Sequence, residues 1–390
     1  MRKNLSIGIV LMVTMFCVVA FVVPKHIIFK LSEKPTTCDP DWKNCDNNGS
    51  MCRDASGNLW LIISRGGIVK ECSWGVYKGT TMDNMVKQVE VDPTLKFFPR
   101  PYGDDTYWSG GLWIDPKDGK WYSPTHIEFN YKKFGDQPYS FQRRVCLTTS
   151  SDQGKTWKLE GDILTADNSY KADDYTDKTF YDQGPGDQHL VINGKYFYMF
   201  YMDAWVNKVA GRRFFGVRVA RSLIKDKLAP GTWQKWYNGK WTEPGIGGRC
   251  SDVFNCGGTE TANVFYSTYL KKYCALVSGG NGGVENDPDL FMSVCNNWDK
   301  MQWTKPLKIS SAGKNGWYHW AVDSKTFSRN VIDGKTFRYY TSNCSVPRWF
   351  EVEITETDQE GITLPPVYPT ESVNDGNPGW DTIHFPALKN

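Results

Sequence analysis

Asp187, in the stretch GPGDQHLVI, follows a Gly-Pro-Gly turn and opens an apolar run, with His189 two positions further on. Residues two apart share a face of a strand, so an acid and an imidazole would stand together there. Glu260, in GGTETANVFY, holds the same place ahead of another apolar run, and His126 with Glu128 in THIEF puts two ionisable groups on one strand face. Asp115 sits in GGLWIDPKDGKWY, where Asp-Pro followed by Asp118-Gly119 also reads as an ordinary hairpin turn. Asp182 in FYDQGPG is an alternative to Asp187, and Asp203 in FYMDAW ends the following strand. In YHWAVDSK, His319 and Asp323 flank Trp320. Two carboxyl groups, one protonated and one ionised, can move protons to and from a breaking bond. The protonated one needs its pKa raised by burial or by a neighbouring carboxylate. Each position also has a plain structural reading: an Asp can cap a turn, a loop Glu can be solvated, and a histidine can be satisfied in a core.

The elements that would carry these groups are short strands. Beyond the N-terminus helical periodicity is almost absent, and aromatic or alternating runs are bounded by Gly, Asn, Asp and Pro. One unit recurs: a polar cluster, a strand, a tight turn, then an aromatic strand beginning near Trp60, Trp121, Tyr196, Tyr273 and Phe337. The steps are roughly 60 to 75 residues, the size of a four-stranded blade with long loops. Several units are followed by a second hairpin, as in VCLTTSSDQGKTWKLEGDIL. Five such units predict an all-β, five-bladed β-propeller. A pair of β-sandwiches, or a six-bladed propeller with one degenerate blade, is the alternative. No low-complexity linker divides the chain, so residues 31–390 read as one domain, with a Pro-rich strap from Leu364 that could close the ring against the N-terminal segment.

Residues 1–30 are a separate object. Arg2 and Lys3 precede 19 uncharged residues from Leu5 to Val23, long enough for an uncleaved signal-anchor as well as for a cleaved signal. Either predicts export of the remaining chain and, for the anchor, attachment to a membrane. Ten cysteines outside that run fit disulfides in an oxidising compartment, with Cys38, Cys45, Cys52 and Cys72 stapling the start of the domain and Cys250–Cys256 closing a short loop. No CxxC is present, which argues against zinc. Asn48-Gly49-Ser50 and Asn343-Cys344-Ser345 are glycosylation sequons. A net charge of +3, scattered along the chain, excludes a nucleic-acid binder. Aromatic residues make up 15%, which suits strands and also suits the stacking of sugar rings. A Gly-x-Ser-x-Gly elbow and a phosphate loop are both missing.

Ser150, Asp152, Gly154 and Trp157, in SSDQGKTW, resemble the Asp-box of sialidase-like propellers, a turn between the outer strands of a blade. The broader pattern resembles the five-bladed glycosidases typified by glycoside hydrolase family 43. That resemblance implies hydrolysis of an oligo- or polysaccharide by three acids from different blades, in the order general-base Asp, tuning Asp, general-acid Glu. It puts Glu260 in the acid position and Asp187 or Asp115 as base or tuner; no residue stands out as the family's N-terminal catalytic Asp. Substrate contacts then fall to His126, Glu128, Asp182, His189, Asp203, His319, Trp320 and Asp323, and to Arg65 in LIISRGG for an anionic sugar. No cofactor is implied, and a structural calcium is not indicated. A non-catalytic carbohydrate-binding propeller is the competing reading. A sialidase is the third, though its Arg-Ile-Pro signature is missing. Two carboxyl groups about 5 to 10 Å apart across an open pocket would favour hydrolysis. Carboxylates paired to Arg or Lys would favour binding.

Overall fold

The computed structural model describes residues 26–66, 72–92, 96–99, 105–134, 137–167, 180–207, 212–254, 256, 261–279, 288–310, 316–357 and 361–363. Two strands precede the first blade, β1 (His26–Leu31) and β2 (Thr36–Thr37). Blade I holds β3 (Ser50–Arg53), β4 (Leu59–Arg65), β5 (Ser73–Gly79) and β6 (Val86–Val91). Blade II holds β7 (Thr106–Ser109), β8 (Trp113–Ile114), β9 (Trp121–Phe134), β10 (Gln137–Ser150) and β11 (Lys158–Leu164). Blade III holds β12 (Phe180–Asn193), β13 (Tyr196–Asn207), β14 (Arg212–Leu223), β15 (Gln234–Tyr237) and β16 (Lys240–Pro244). Blade IV holds β17 (Ala262–Ser267), β18 (Lys272–Gly279), β19 (Asp289–Asn297), β20 (Gln302–Trp303) and β21 (Leu307–Ser310), and β23 (Val331–Ile332) lies parallel to β17. Blade V holds β22 (Tyr318–Asp323), β24 (Thr336–Ser342), β25 (Arg348–Thr357) and β26 (Ile362–Thr363).

Five sheets make a five-bladed propeller, and the six-bladed alternative drops out. Each neighbouring pair of blades encloses its own apolar cluster. Trp60 and Trp74 meet Trp121 and Trp157 between blades I and II, and Val145 and Leu147 meet Phe197 and Met199 between II and III. Phe200 meets Val264 and Tyr273 between III and IV. Phe265 and Leu276 meet Tyr339 and Phe350 between IV and V, and Trp320 and Tyr340 meet Leu61 and Ile63 between V and I. The aromatic strands read from the sequence (β4, β9, β13, β18 and β24) are the second strands that feed these clusters.

The ring closes through β1, which pairs antiparallel with β25 along its whole length and with β26 at its start. Ile27 and Phe29 of β1 are buried between blades IV and V. A domain boundary at residue 31 would cut this strand, so the propeller includes residues from His26. The apolar run Leu5–Val23 and the strap from Leu364 lie outside the described residues, among which no helix is long and apolar enough to cross a membrane. Among the described residues no disulfide is formed, contrary to the staples expected among Cys38, Cys45, Cys52 and Cys72 and across Cys250–Cys256. Several cysteines serve as small core groups: Cys72 Sγ donates to the Tyr107 carbonyl at 2.8 Å and Cys146 Sγ to that of Thr125 at 3.2 Å. The sequon at Asn48 is buried.

The turn of SSDQGKTW joins β10 to β11 at the outer edge of blade II. Ser150 Oγ donates to Asp152 Oδ1 at 2.8 Å and accepts from the Gly154 amide at 2.9 Å. Asp152 also accepts from the Thr156 amide at 2.9 Å and its hydroxyl at 2.7 Å. Gly154 turns at φ +83° with Trp121 and Val76 packed against its α-carbon, where a β-carbon would crowd them. Trp157 then packs edge-on to Trp74 at 5.0 Å.

Candidate functional site

Four residues ahead of the first inner strand, Asp46 to Gly49, bind the axis of the ring together. The Asp46 amide donates to the Ser64 carbonyl of blade I at 2.9 Å. Asn47 donates to the Ser109 carbonyl of blade II at 2.9 Å. Asn48 donates to the Asp187 carbonyl of blade III at 3.4 Å and accepts from the His319 amide of blade V at 3.2 Å. Gly49 has φ +50° and lies under the Trp320 ring, so a side chain there would be strained and would strike the indole. The Asp46 carboxyl lies over Gly66, where any β-carbon would collide with Oδ2.

Asp187 meets this segment from β12. The strand slips register between Gly186 and His189, and Asp187 takes φ +45°, an uncommon conformation for a residue with a β-carbon. Such a bulge re-aims a side chain. Here it sends the Asp187 carboxylate to 3.8 Å from His126 Nδ1 and 3.4 Å from the Arg143 guanidinium, while its amide donates to His126 Nδ1 at 3.1 Å. His126 Nε2 lies 3.7 Å from Glu128 Oε1, so the two side chains share one face of β9 as their spacing predicts. Asp187 and Glu128 keep some exposure, at 10% and 18%, whereas His126 and Arg143 are almost covered.

Burial is the chief cause that pushes the Asp46 carboxyl up, to about 6. A hydrogen bond from the Tyr318 hydroxyl opposes it, the charge of Glu128 adds to it, the Cys344 thiol at 3.4 Å opposes it, and the charge of Asp187 adds again. Asp46, Glu128 and Asp187 are therefore close enough to feel one another. A carboxyl in such company can hold or release a proton near neutral pH.

The other candidate residues fall elsewhere. Glu260 and the side chain of Asp182 lie outside the described residues. Asp115 is a turn residue ahead of the Trp121 end of β9, whereas Glu128 lies midway along that strand. The Asp115 carboxylate accepts from the Lys117 amide at 2.9 Å and pairs with Lys227 at 2.6 Å. Asp323 plays the same part in blade V, accepting from the Lys325, Thr326 and Asp333 amides. Asp203 is buried beside Arg218 at 3.8 Å and accepts from Cys250 Sγ at 3.5 Å.

His189 does not share the surroundings of Asp187, because the bulge between them breaks the alternation. Its ring lies on the axis, with Nε2 against the Val264 carbonyl at 2.9 Å and Nδ1 accepting from Arg329 at 2.6 Å. Burial holds it neutral, well below the usual range, and burial takes His319 down to about 3. Trp320 is fully buried and stacked on Tyr340. Arg65 is spent inside blade I on Glu90 at 3.0 Å and on the Tyr77 hydroxyl.

Solved structures that share this architecture include glycosidases. The chain aligns with a family 117 glycoside hydrolase from the marine bacterium Zobellia galactanivorans at 12% identity and a TM-score of 0.50, over 86% of this chain and 92% of that one. It aligns with the GH32 β-fructofuranosidase of Bombyx mori at 13% identity and a TM-score of 0.52, over 84% of this chain and 65% of that one. The chain thus spans just under two thirds of the Bombyx protein. The likeness is one of fold, a five-bladed β-propeller. No family model matches the sequence, and no curated protein does.

Asp46 is the site residue that sequence reasoning passes over. It lies in CDNNGS, directly before the inner strand of blade I, as Glu260 lies before that of blade IV. Counting the first unit from Cys52 begins it inside β3 and hides the acid. The polar cluster that opens the other units would have pointed to it.

Proposed function

We infer that the chain is a glycoside hydrolase-like enzyme that cleaves a glycan by carboxylate acid/base chemistry at the mouth of the propeller. The observation that carries this reading is Asp46. Its carboxyl is partly buried and raised to about 6, it lies within reach of the charges of Glu128 and Asp187, and no Lys or Arg ranks among the main influences on it. In the chain order implied by the family 43 resemblance, Asp46 takes the role of base, Asp187 that of tuner, and Glu260 that of acid. Asp115, committed to its turn and to Lys227, leaves the scheme. The base, ionised above about pH 6, takes a proton from the attacking water, and the acid gives one to the departing sugar oxygen. His126 and Arg143 hold Asp187 in place from both sides.

One observation favours the competing, non-catalytic carbohydrate-binding reading: Asp187 is paired to Arg143. A digestion screen separates the two. The purified full-length chain, incubated with a panel of plant, algal and microbial polysaccharides, should release reducing ends from at least one. The variant Glu260→Gln should release none while retaining its near-UV circular dichroism. Retention of a glycan on an affinity gel with no reducing ends from any would establish the binding reading instead. The charged start and apolar run Arg2–Val23 support an extracytoplasmic placement, secreted or held at a membrane, and an oxidising compartment would allow disulfides among the cysteines. Fractionation of the expressing cells tests the placement.

A further inference from the structure

A cleft of about 340 Å³ opens between blades III and IV, far from Asp46. Its walls are the turn from β12 to β13, the end of β14, the turn from β17 to β18 and the end of β19. Asn193 in that wall is six residues along β12 from Asp187, roughly 20 Å at about 3.3 Å per residue. The site at the ring's mouth and this cleft are separate places.

Lys195, Arg221 and Lys271 line the cleft together with Tyr196, Tyr273 and Trp298, and Asp299 is the one acid among the lining residues. Arg221 is held flat by rings, 4.4 Å from that of Tyr196 and 4.6 Å from that of Trp241. Its Nε is buried with no hydrogen-bond partner, and so are the Tyr273 hydroxyl and Asn296 Oδ1. Lys195 stands over the same Tyr196 ring at 5.6 Å. A buried polar atom left without a partner is costly and rare. Here four such atoms, Trp298 Nε1 being the fourth, belong to residues that line one opening together with several cations.

We propose that this cleft is a second, non-catalytic site that binds an anionic stretch of polysaccharide, one whose sugars carry carboxylate or sulfate. A pyranose face suits the tyrosine and tryptophan rings, and a guanidinium braced between two rings, with two lysines beside it, suits an oxyanion. Such a site would hold the enzyme on an acidic polymer while the mouth of the ring works on the same or a neighbouring chain.

The test is affinity electrophoresis of the full-length chain in gels containing polygalacturonate, a sulfated galactan, or a neutral arabinan. To keep hydrolysis out of the readout, every form carries Glu260→Gln. Retardation by either acidic polymer, weakened by salt and about tenfold weaker in Arg221→Met and Lys271→Glu, is the expected result. Which acidic polymer is retarded tells carboxylate from sulfate recognition. The proposal is overturned if neither acidic polymer retards the chain, if neutral arabinan retards it equally, or if both cleft variants behave as the parent. Asp46→Asn should leave the retardation unchanged; its loss there would place the binding at the mouth of the ring. Because no form needs to be active, a failed hydrolysis screen would not count against the cleft, nor a failed gel against hydrolysis.

Discussion

Holding a partly buried carboxyl near two others works against its ionisation in the folded state, and Asp46 shows how much. Its folded pKa of about 6 stands above an ordinary value of 3.8, so the native state binds the proton more tightly than the unfolded chain does. The stabilising contribution is complete below about pH 4 and is lost as pH rises through about 6. A difference of about two pKa units corresponds to about 3 kcal/mol at most. Asp46→Asn cannot ionise and escapes that loss. Urea unfolding at pH 4 and pH 7.5 should show wild-type stability falling relative to Asp46→Asn over that interval; parallel behaviour of the two would refute the raised pKa. Among the other residues, chemistry and structure look alike in sequence. Asp54, Asp115 and Asp323 all accept backbone amides in the first hairpin turn of their blades. An acid beside a turn signal does not say which end of its strand it occupies, and that is why Asp115 stays a candidate beside the stronger Asp187 from sequence. His126 with Glu128 was legible because a regular strand preserves the two-residue period.

At the scale of elements, hairpins and aromatic strands were readable because each second strand must feed two inter-blade clusters. What escaped was the irregularity. The bulge at Gly186–His189 separates Asp187 from His189, and no alternation rule anticipates an inserted residue. The hydrogen-bonded turn at Ser150–Trp157 is an element of the opposite kind, local and self-contained. Asp152→Ala removes the acceptor for the Thr156 amide and for the Thr156 and Ser150 hydroxyls in that turn and should cost about 1 to 2 kcal/mol of stability, since it lies at the outer rim and the cap is partly exposed. Glycan turnover per folded molecule should be unchanged, and a fall in turnover without a fall in melting temperature would mean the turn does more than fold the blade.

The whole molecule depends on ring closure by a strand the sequence reading had cut in two. Phe29 of β1 is buried against Phe265 and Phe337, joining the start of the described chain to blades IV and V. Phe29→Ala should therefore cost about 3 to 5 kcal/mol, measured by denaturant unfolding. A loss under 1 kcal/mol would mean that β1 does not seal the ring. Closure also fixes the mouth, since the segment Asp46–Gly49 joins blades I, II, III and V at the axis, and a carboxylate set drawn from several blades holds its spacing only while the ring is intact. The proposed acid/base set is tested by comparing two asparagine variants. On the glycan that the screen identifies, kcat is measured for Asp46→Asn and for Asp115→Asn, each with its fold checked by circular dichroism. Asp46→Asn should lose about 10³-fold in kcat, the order attributable to a missing proton-transfer group, while Asp115→Asn keeps wild-type turnover. Full activity in Asp46→Asn together with loss in Asp115→Asn would contradict the account.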